Sequence, residues 1–284
     1  MRTSATDLTR FVADAGTVTV LSGAGVSTAS GIPDYRDRDG HWKHTPPVQY
    51  QDFVSHAAVR RRYWARSFAG WQRMARARPN TAHAALAALE EAGHVDTLVT
   101  QNVDGLHGQA GSRRVIDLHG RLDRVVCLEC DAYTDRPAWQ ERLVASNPGW
   151  DGVVAGLRPD GDVEFAAADI DAFRVPGCGA CGGIVKPDVV FFGESVPPER
   201  VAEAAASVSR AGGLLVVGSS LMVFSGLRFV RQAVSLGKRV AVLNQGVTRA
   251  DDVVQLKVDA DCGEALGEIV AALSRNRALA QPHA

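Results

Sequence analysis

The stretch "GAGVSTASGIPDYR", residues 23–36, decides the fold. It follows "TVTVLS" (17–22), a β-branched run that predicts a buried strand, so Gly23 and Gly25 fall where a dinucleotide-binding turn carries its glycines. Thr28 stands in the place of the third glycine, and the chain runs on through Ser30, Gly31 and Pro33 instead of entering a clean helix. The reading is a Rossmann-like unit whose first turn has grown into a long polar loop.

Outward from that turn, strand-like runs recur at 18–22, 95–102, 114–120, 212–220, 239–246 and 253–259, with helical patterns at 80–93, 197–212 and 225–237. Each helix has Asn, Pro or Ser near its start and Gly near its end, as capping prefers. Apolar runs alternating with helices predict an α/β fold, a doubly wound parallel sheet covered on both faces. Two stretches interrupt the alternation. Residues 40–75 are aromatic and arginine-rich and read as helices, and 121–190 reads as an inserted module in which "SNPGWDGVVAGLRPDGDVEF" (146–165) has the composition of a loop. The expected organisation is a nucleotide-binding domain from 1–39, 76–120 and 191–284, with 40–75 and 121–190 forming a smaller helical and zinc-binding domain.

Bulk properties narrow the function. The 284 residues, 46% hydrophobic and 22% charged, suit an ordinary globular protein with a full core. A net charge of −1 gives no electrostatic reason to expect nucleic acid or an anionic membrane as the main partner. The N-terminus "MRTSATDLTRF" lacks the apolar run of a signal peptide and no later stretch approaches a membrane span, so a cytoplasmic location is expected.

Four of the five cysteines form two C-x-x-C pairs, Cys127/Cys130 in "CLEC" and Cys178/Cys181 in "CGAC". Two such knuckles make a tetrahedral site for one zinc ion. Disulfides or a redox C-x-x-C are the alternatives, disfavoured by a cytosolic setting and by strand-rich flanks. Four thiolates leave no open coordination position, so this zinc is structural and the chemistry lies elsewhere.

In an open α/β sheet, ligands collect beyond the carboxyl ends of the strands. There the sequence places Gln101, Asn102, Asp104 and His107 in "TQNVDGLH", His119 in "LHG", Gly218, Ser219 and Ser220 in "GSS", and Asn244 in "NQG". Any one of these also fits an Asx-turn or a packed side chain. Their recurrence at four strand ends points to a site.

Taken in order, "GAGVSTASGIPDYR", "TQNVDGLH", "DLHG", the cysteine pairs, "KPDVVFFGE", "GSSL" and "LNQG" resemble the sirtuins, NAD-dependent protein deacylases and ADP-ribosyltransferases. The resemblance runs from about residue 14 to 270. "RYWARSFAGW", "RPNTAHAALAALEEAG", "AGSRR", "LRPDGDVEF" and "SGLRFV" look like the class II branch, which includes the mitochondrial sirtuin 4 type.

The resemblance implies NAD as cofactor and an acylated-lysine protein or peptide as partner. It places Gly23, Ala24, Gly25 and Ser27 along the phosphates with Arg36 as charge partner, and Ile32 and Asp34 at the nicotinamide carboxamide. Tyr35, where sirtuins usually carry Phe, would be a lid over the ribose. Gln101 would meet the nicotinamide ribose, Asn102 and Asp104 the nicotinamide pocket, Ser219 and Ser220 phosphate and ribose, and Asn244 the adenosine ribose. Cys262 falls in the loop that touches adenine, or is a small buried residue. His119 would be the general base, since imidazole is mostly neutral near pH 7. The acyl oxygen attacks the ribose as nicotinamide leaves, and the acyl group departs on ADP-ribose. A long loop suits such chemistry because it keeps water off the reactive sugar.

Residues 189–194, including Val190, Phe191, Phe192 and Gly193, would offer a strand edge to the peptide backbone. Tyr63 and Arg66, at i, i+3 spacing, share a helix face. They resemble the Tyr-x-x-Arg arrangement that binds acidic acyl chains, although the same residues also fit the surface of a basic helix. The expectation is a preference for long or carboxylated acyl groups. Transfer of ADP-ribose to a protein, a dehydrogenase and a non-catalytic NAD sensor are the competing functions. The missing acidic ribose anchor argues against the dehydrogenase, and the intact His119, Asn102 and Asp104 against the sensor.

Overall fold

The computed structural model describes residues 3–43, 47–157 and 163–280. The chain begins with α1 (Ala5–Ala15), β1 (Val18–Ser22) and two 3-10 turns, Ala24–Val26 and Thr28–Ser30, followed by α2 (Tyr50–Ser55), α3 (Ala57–Arg76) and α4 (Thr81–Glu91). Next come β2 (Val95–Thr100), α5 (Leu106–Gln109), β3 (Val115–Asp117), β4 (Gly120–Cys127), β5 (Tyr133–Asp135) and α6 (Arg136–Ser146). The strands β6 (Gly152–Leu157), β7 (Val163–Ala168) and β8 (Val185–Val189) complete the insertion. The chain closes with α7 (Pro198–Arg210), β9 (Gly213–Val217), α8 (Phe224–Ser235), β10 (Arg239–Leu243), β11 (Leu256–Val258) and α9 (Cys262–Ala280).

The main sheet has six parallel strands in the order β11-β10-β9-β1-β2-β3. From central β1 the chain builds outward through β2 and β3, then returns to place β9 on the other side of β1. This is the doubly wound arrangement expected from the alternating pattern. Side chains alternate between two cores. Val18, Val20, Leu215, Val217, Ala241 and Leu243 meet α1, α4 and α9, whereas Leu21, Leu214, Val216, Val240 and Val242 meet α7 and α8. With both faces covered, each strand needs apolar residues at every position, which is why the strands read as continuous hydrophobic runs. Burying each large aliphatic side chain contributes about 1.5–3 kcal/mol.

Capping ties one helix to the site. The Asn80 side chain accepts the backbone N–H groups of Ala82 and His83 at 2.9 and 3.4 Å, opening α4, and its amide donates to the Val26 carbonyl at 2.8 Å. The same residue therefore starts the helix and anchors the glycine loop.

The insertions share a third core. Helices α2 and α3 bear out the helical reading of 40–75 from residue 50 onward, whereas Trp42 and Gln49 form isolated β-bridges, and Phe53, Trp64, Trp139, Phe173 and Phe191 pack together with the antiparallel sheet β5-β4-β8. Buried Arg136 lies over Trp64 and Trp71, 5.7 and 4.6 Å from the ring centroids, and donates to the Ser67 carbonyl. One expectation is corrected: within 146–165, read as loop, residues 152–157 form β6 and pair antiparallel with β7. The Gly, Pro and Asp that suggested loop chemistry cluster at 158–162, outside the described residues. Helices α1, α5, α6 and α9 were not anticipated, although Ser4 and Asp7 form a capping box at the start of α1. Among the described residues, no helix is long and apolar enough to cross a membrane.

Candidate active site and cysteine cluster

The strand order reverses between β1 and β9, the position where a doubly wound sheet opens a crevice. Gly23 N–H donates to the Val217 carbonyl at 3.0 Å and Gly25 N–H to the Gly218 carbonyl at 2.9 Å, joining the two turns that follow these strands. The approach requires glycine: a Cβ on Gly23 would lie 2.7 Å from Ser219 Cβ and 2.8 Å from the Gly218 carbonyl oxygen. Instead of a long helix, the first loop makes two short 3-10 turns and then leaves the sheet, as the missing third glycine suggested.

A cavity of about 820 Å³ opens beside these turns. The first loop lines it with Gly23, Ala24, Gly25, Ser27, Ile32, Asp34, Tyr35 and Arg36. The end of β2 adds Gln101, Asn102 and Asp104, the end of β9 adds Gly218, Ser219 and Ser220, and the end of β10 adds Asn244. His119, Tyr63, Val190, Phe191, Phe192 and Gly193 complete the gathering of expected residues. A volume near the upper range of ligand pockets, with side-chain-free glycines on its wall, fits a dinucleotide.

Hydrogen bonds hold the polar wall in place. Asn102 donates from its amide to the Gly23 carbonyl at 3.1 Å and to Ser27 Oγ at 3.0 Å, while Ser27 donates to Asp104 at 2.7 Å. Gln101 donates to Ser219 Oγ at 2.9 Å. Strand β2 stops at Thr100, two residues short of the expected end, so Gln101 and Asn102 leave the ladder and turn toward their neighbours.

His119 has a defined tautomer. Its Nδ1 lies 3.0 Å from the Gln101 carbonyl, which can only accept, so Nδ1 carries the proton. Nε2 then presents a lone pair, which accepts the Ser225 hydroxyl at 2.8 Å. Burial pushes the imidazole down to about 4. The ring is neutral at pH 7, with its basic nitrogen at the cavity wall.

The His119 carbonyl accepts the Val190 N–H at 2.8 Å, which places the end of β8 directly beside the imidazole. Lys186, 4% exposed, pairs with Glu194 at 3.0 Å, and Glu194 also accepts the Phe191 N–H at 2.8 Å. Facing this segment, Tyr35, Trp42 and Phe192 form an edge-to-face trio with centroids 5.7–6.2 Å apart. Arg36 lies 4.0 Å over the Trp42 ring and donates to the Gly40 carbonyl at 2.7 Å. Asp34 is ion-paired with Lys43.

Three expected residues stay outside the cavity. His107 is buried behind the sheet end, 2.9 Å from Ser22 Oγ. Arg66 Nε donates to the Val163 carbonyl at 2.7 Å, so it faces β7 while Tyr63 reaches the wall. Cys262 opens α9 inside the main apolar core, and burial pushes its thiol up to about 12. Ser225, Lys186, Glu194 and Trp42 were missed. Ser225 and His119 lie 106 positions apart, and no local pattern in a sequence pairs residues at that distance.

The Sγ atoms of Cys127, Cys130, Cys178 and Cys181 all lie within 4.8 Å of one another. The Cys127–Cys181 and Cys130–Cys178 separations are 3.5 and 3.8 Å. A tetrahedron with Zn–S bonds of about 2.3 Å has S···S edges of about 3.8 Å, so the residues fit a zinc site of four thiolates. Backbone N–H groups of Glu129, Ala180 and Gly183 reach Cys127, Cys178 and Cys181 at 3.4–3.5 Å, the contacts that orient thiolates. The Cys181 and Ala180 backbone groups pull the Cys178 thiol down to about 6.

Comparison with known proteins agrees with this geometry. The model of the Sir2 family matches residues 23–225. The NAD-dependent protein deacetylase of Bordetella bronchiseptica is 56% identical over 251 residues, covering 88% of this chain and 92% of that protein. NAD-dependent protein deacetylase 1 of Streptomyces coelicolor is 52% identical over 252 residues, covering 89% and 84%. A solved complex of Sir2 with a p53 peptide and NAD+ aligns with a TM-score of 0.75 and 29% identity over 95% of this chain and 98% of that one. Sir2 bound to an acetylated peptide gives the same TM-score, identity and coverage. With a family model spanning most of the chain and relatives more than half identical across nearly all of it, the chain belongs to the Sir2 family, the sirtuins.

Proposed function

We propose that this protein is an NAD-dependent protein-lysine deacylase that releases nicotinamide and transfers the acyl group to ADP-ribose. The observation that carries the reading is the unprotonated Nε2 of His119, held in one cavity with the glycine turn and bonded through its own backbone to the segment 190–193. When bound, NAD supplies the ribose carbon that loses nicotinamide and takes the acyl oxygen.

The residues of the chain divide the remaining work. Gly23, Ala24, Gly25 and Ser27, with Arg36, line the phosphate end, and Gly218, Ser219 and Ser220 face them from β9. Gln101 orients the nicotinamide ribose and Asn244 the adenosine ribose. Ile32, Asp34, Asn102 and Asp104 enclose the nicotinamide, and the Ser27–Asp104 bond holds that pocket closed against the first loop. His119 takes a proton from a ribose hydroxyl at Nε2 once Ser225 yields the position, and the Gln101 carbonyl stabilises the resulting imidazolium at Nδ1. Tyr35, Trp42 and Phe192 exclude water. Phe192 pairs in parallel with Gln49, and the segment 190–193 offers its remaining edge to the backbone of an extended peptide. The four cysteines hold one zinc ion with no open position, so it braces the small domain formed by 40–75 and 121–190.

The relatives support the activity: they are NAD-dependent protein deacetylases, and one solved Sir2 complex contains a propionylated peptide. The class II assignment rests on the motif strings alone. A preference for long or carboxylated acyl groups rests on Tyr63 at the cavity wall, since Arg66 faces Val163.

The test is nicotinamide release from NAD with acetyl-, succinyl-, glutaryl- and myristoyl-lysine peptides, run beside His119→Ala. Release that requires an acyl-lysine and disappears in the variant supports deacylation. Label from NAD retained on protein, without deacylated peptide, would replace it with ADP-ribosyl transfer.

A further inference from the structure

The cavity has a second wall that the proposed chemistry leaves without a task. Beyond Glu194 it continues between α7 and α8, past Val196, Val201, Ala205, Phe224 and Arg228. Phe224 is 50% exposed and Val223 37%, so this is the mouth of the cavity and not its depth. Arg228 and Arg231 both lie over the Phe224 ring, 5.2 and 5.6 Å from its centroid. Neither forms an ion pair or a hydrogen bond among the described residues, and Arg228 Nε is buried with no acceptor. Elsewhere at the site the cations are engaged: Lys186 by Glu194, Lys43 by Asp34 and Arg200 by Asp188. A half-shielded guanidinium without an acceptor, beside apolar walls, is a receptor for a carboxylate.

Position says what carries that carboxylate. Arg228 is three residues beyond Ser225 on α8, so the two share a helix face about 5–6 Å apart. Ser225 touches His119, the point an acyl-lysine must reach. In an extended peptide, side chains two places apart lie on the same face about 6.6–6.8 Å apart. We infer that Arg228, supported by Arg231 and Phe224, reads an acidic side chain two residues from the acyl-lysine on the substrate peptide. The inference rests on the deacylase reading above and names the peptide class that the site selects. The exposure of Phe224 favours a peptide side chain over the buried tip of an acyl group.

The experiment compares acetyl-lysine peptides carrying Glu, Ala or Lys at the second position on either side, with nicotinamide release measured for the wild type, Arg228→Met and Arg231→Met. The wild type is expected to favour Glu over Lys by about three- to fivefold in kcat/KM, the size of a partly exposed charge pair, mainly through KM and less at high salt. Arg228→Met should abolish the discrimination while turning over the Ala peptide as the wild type does. Equal kcat/KM for the three peptides in the wild type overturns the inference, as does an equal loss on all three in Arg228→Met. A succinyl-lysine arm in the Ala peptide separates the other source of a carboxylate: a loss confined to that arm would assign Arg228 to the acyl group instead. Absence of release from every peptide would refute the deacylase reading, and a direct binding titration of the Glu and Lys peptides to NAD-free protein would still test Arg228.

Discussion

Replacing Gly218 by Ala tests whether the junction of β1 and β9 builds the site. Gly218 has φ +59°, a conformation that costs an L-residue about 1–2 kcal/mol. A Cβ there would also lie 2.5 Å from Val26 N, 2.8 Å from the Gly25 carbonyl carbon and 2.9 Å from Val26 Cγ2. Two of these atoms are backbone and cannot rotate away, so relief requires separating the two turns, an overpacking cost of about 1–3 kcal/mol. The sum is about 2–5 kcal/mol. Gly93 supplies the control, because it ends α4 in a left-handed cap with φ +84° and nothing within 4 Å of an added Cβ, and so carries the conformational cost alone. Thermal unfolding should show Gly218→Ala melting roughly 5–15 °C below the wild type and Gly93→Ala only a few degrees below. Calorimetric titration should show weaker NAD binding for the first variant only. If the two variants melt together and bind NAD equally, the close approach does not build the site.

Three further outcomes follow from the geometry. Elemental analysis should find one zinc equivalent in the wild type and none in Cys178→Ser, which should also unfold at lower urea, because three thiolates no longer close the tetrahedron; a full zinc equivalent retained by the variant would refute the four-cysteine site. His107 is pushed down to about 3 by burial and by His83, so it binds its proton less readily folded than unfolded, where its pKa is about 6.5. Its contribution to stability is therefore full above pH 6.5 and falls as the pH drops toward 3, by up to about 1.4 kcal/mol per unit, and urea midpoints of His107→Gln should fall less steeply between pH 6.5 and 5 than those of the wild type. Lys186→Met leaves Glu194 partly buried without its cation and should cost about 2–4 kcal/mol while raising KM for peptide more than for NAD; equal effects on both would deny that the pair positions residues 190–193.

Much of the architecture was legible because it depends on short-range patterns. The β1 run, the capped helices and the alternation of apolar strands with helices each reflect burial and hydrogen bonding within a few residues, and they led to a doubly wound sheet. The cysteine pairs were equally plain, since C-x-x-C spacing already places two sulfurs on one turn. Misreadings arose where composition and neighbours disagreed: β6 and β7 pair across a segment rich in Gly, Pro and Asp, and α9 gains its place from contacts with α1 and α4 that no local window contains.

The site divides along the same line. Sequence alone determined which residue types stand at the strand ends, and it marked the glycine loop, the candidate His119 and the thiol cluster. Only the tertiary structure decided how they act together. It assigned the proton of His119 through the Gln101 carbonyl, set Ser225 against the basic nitrogen, turned Arg66 toward Val163 and left Arg228 at the mouth without an acceptor. The physical reason is that a proton's position, a shifted pKa or an unpaired charge belongs to a set of atoms within a few ångströms, and here the chain brings those atoms together from positions as much as 106 residues apart.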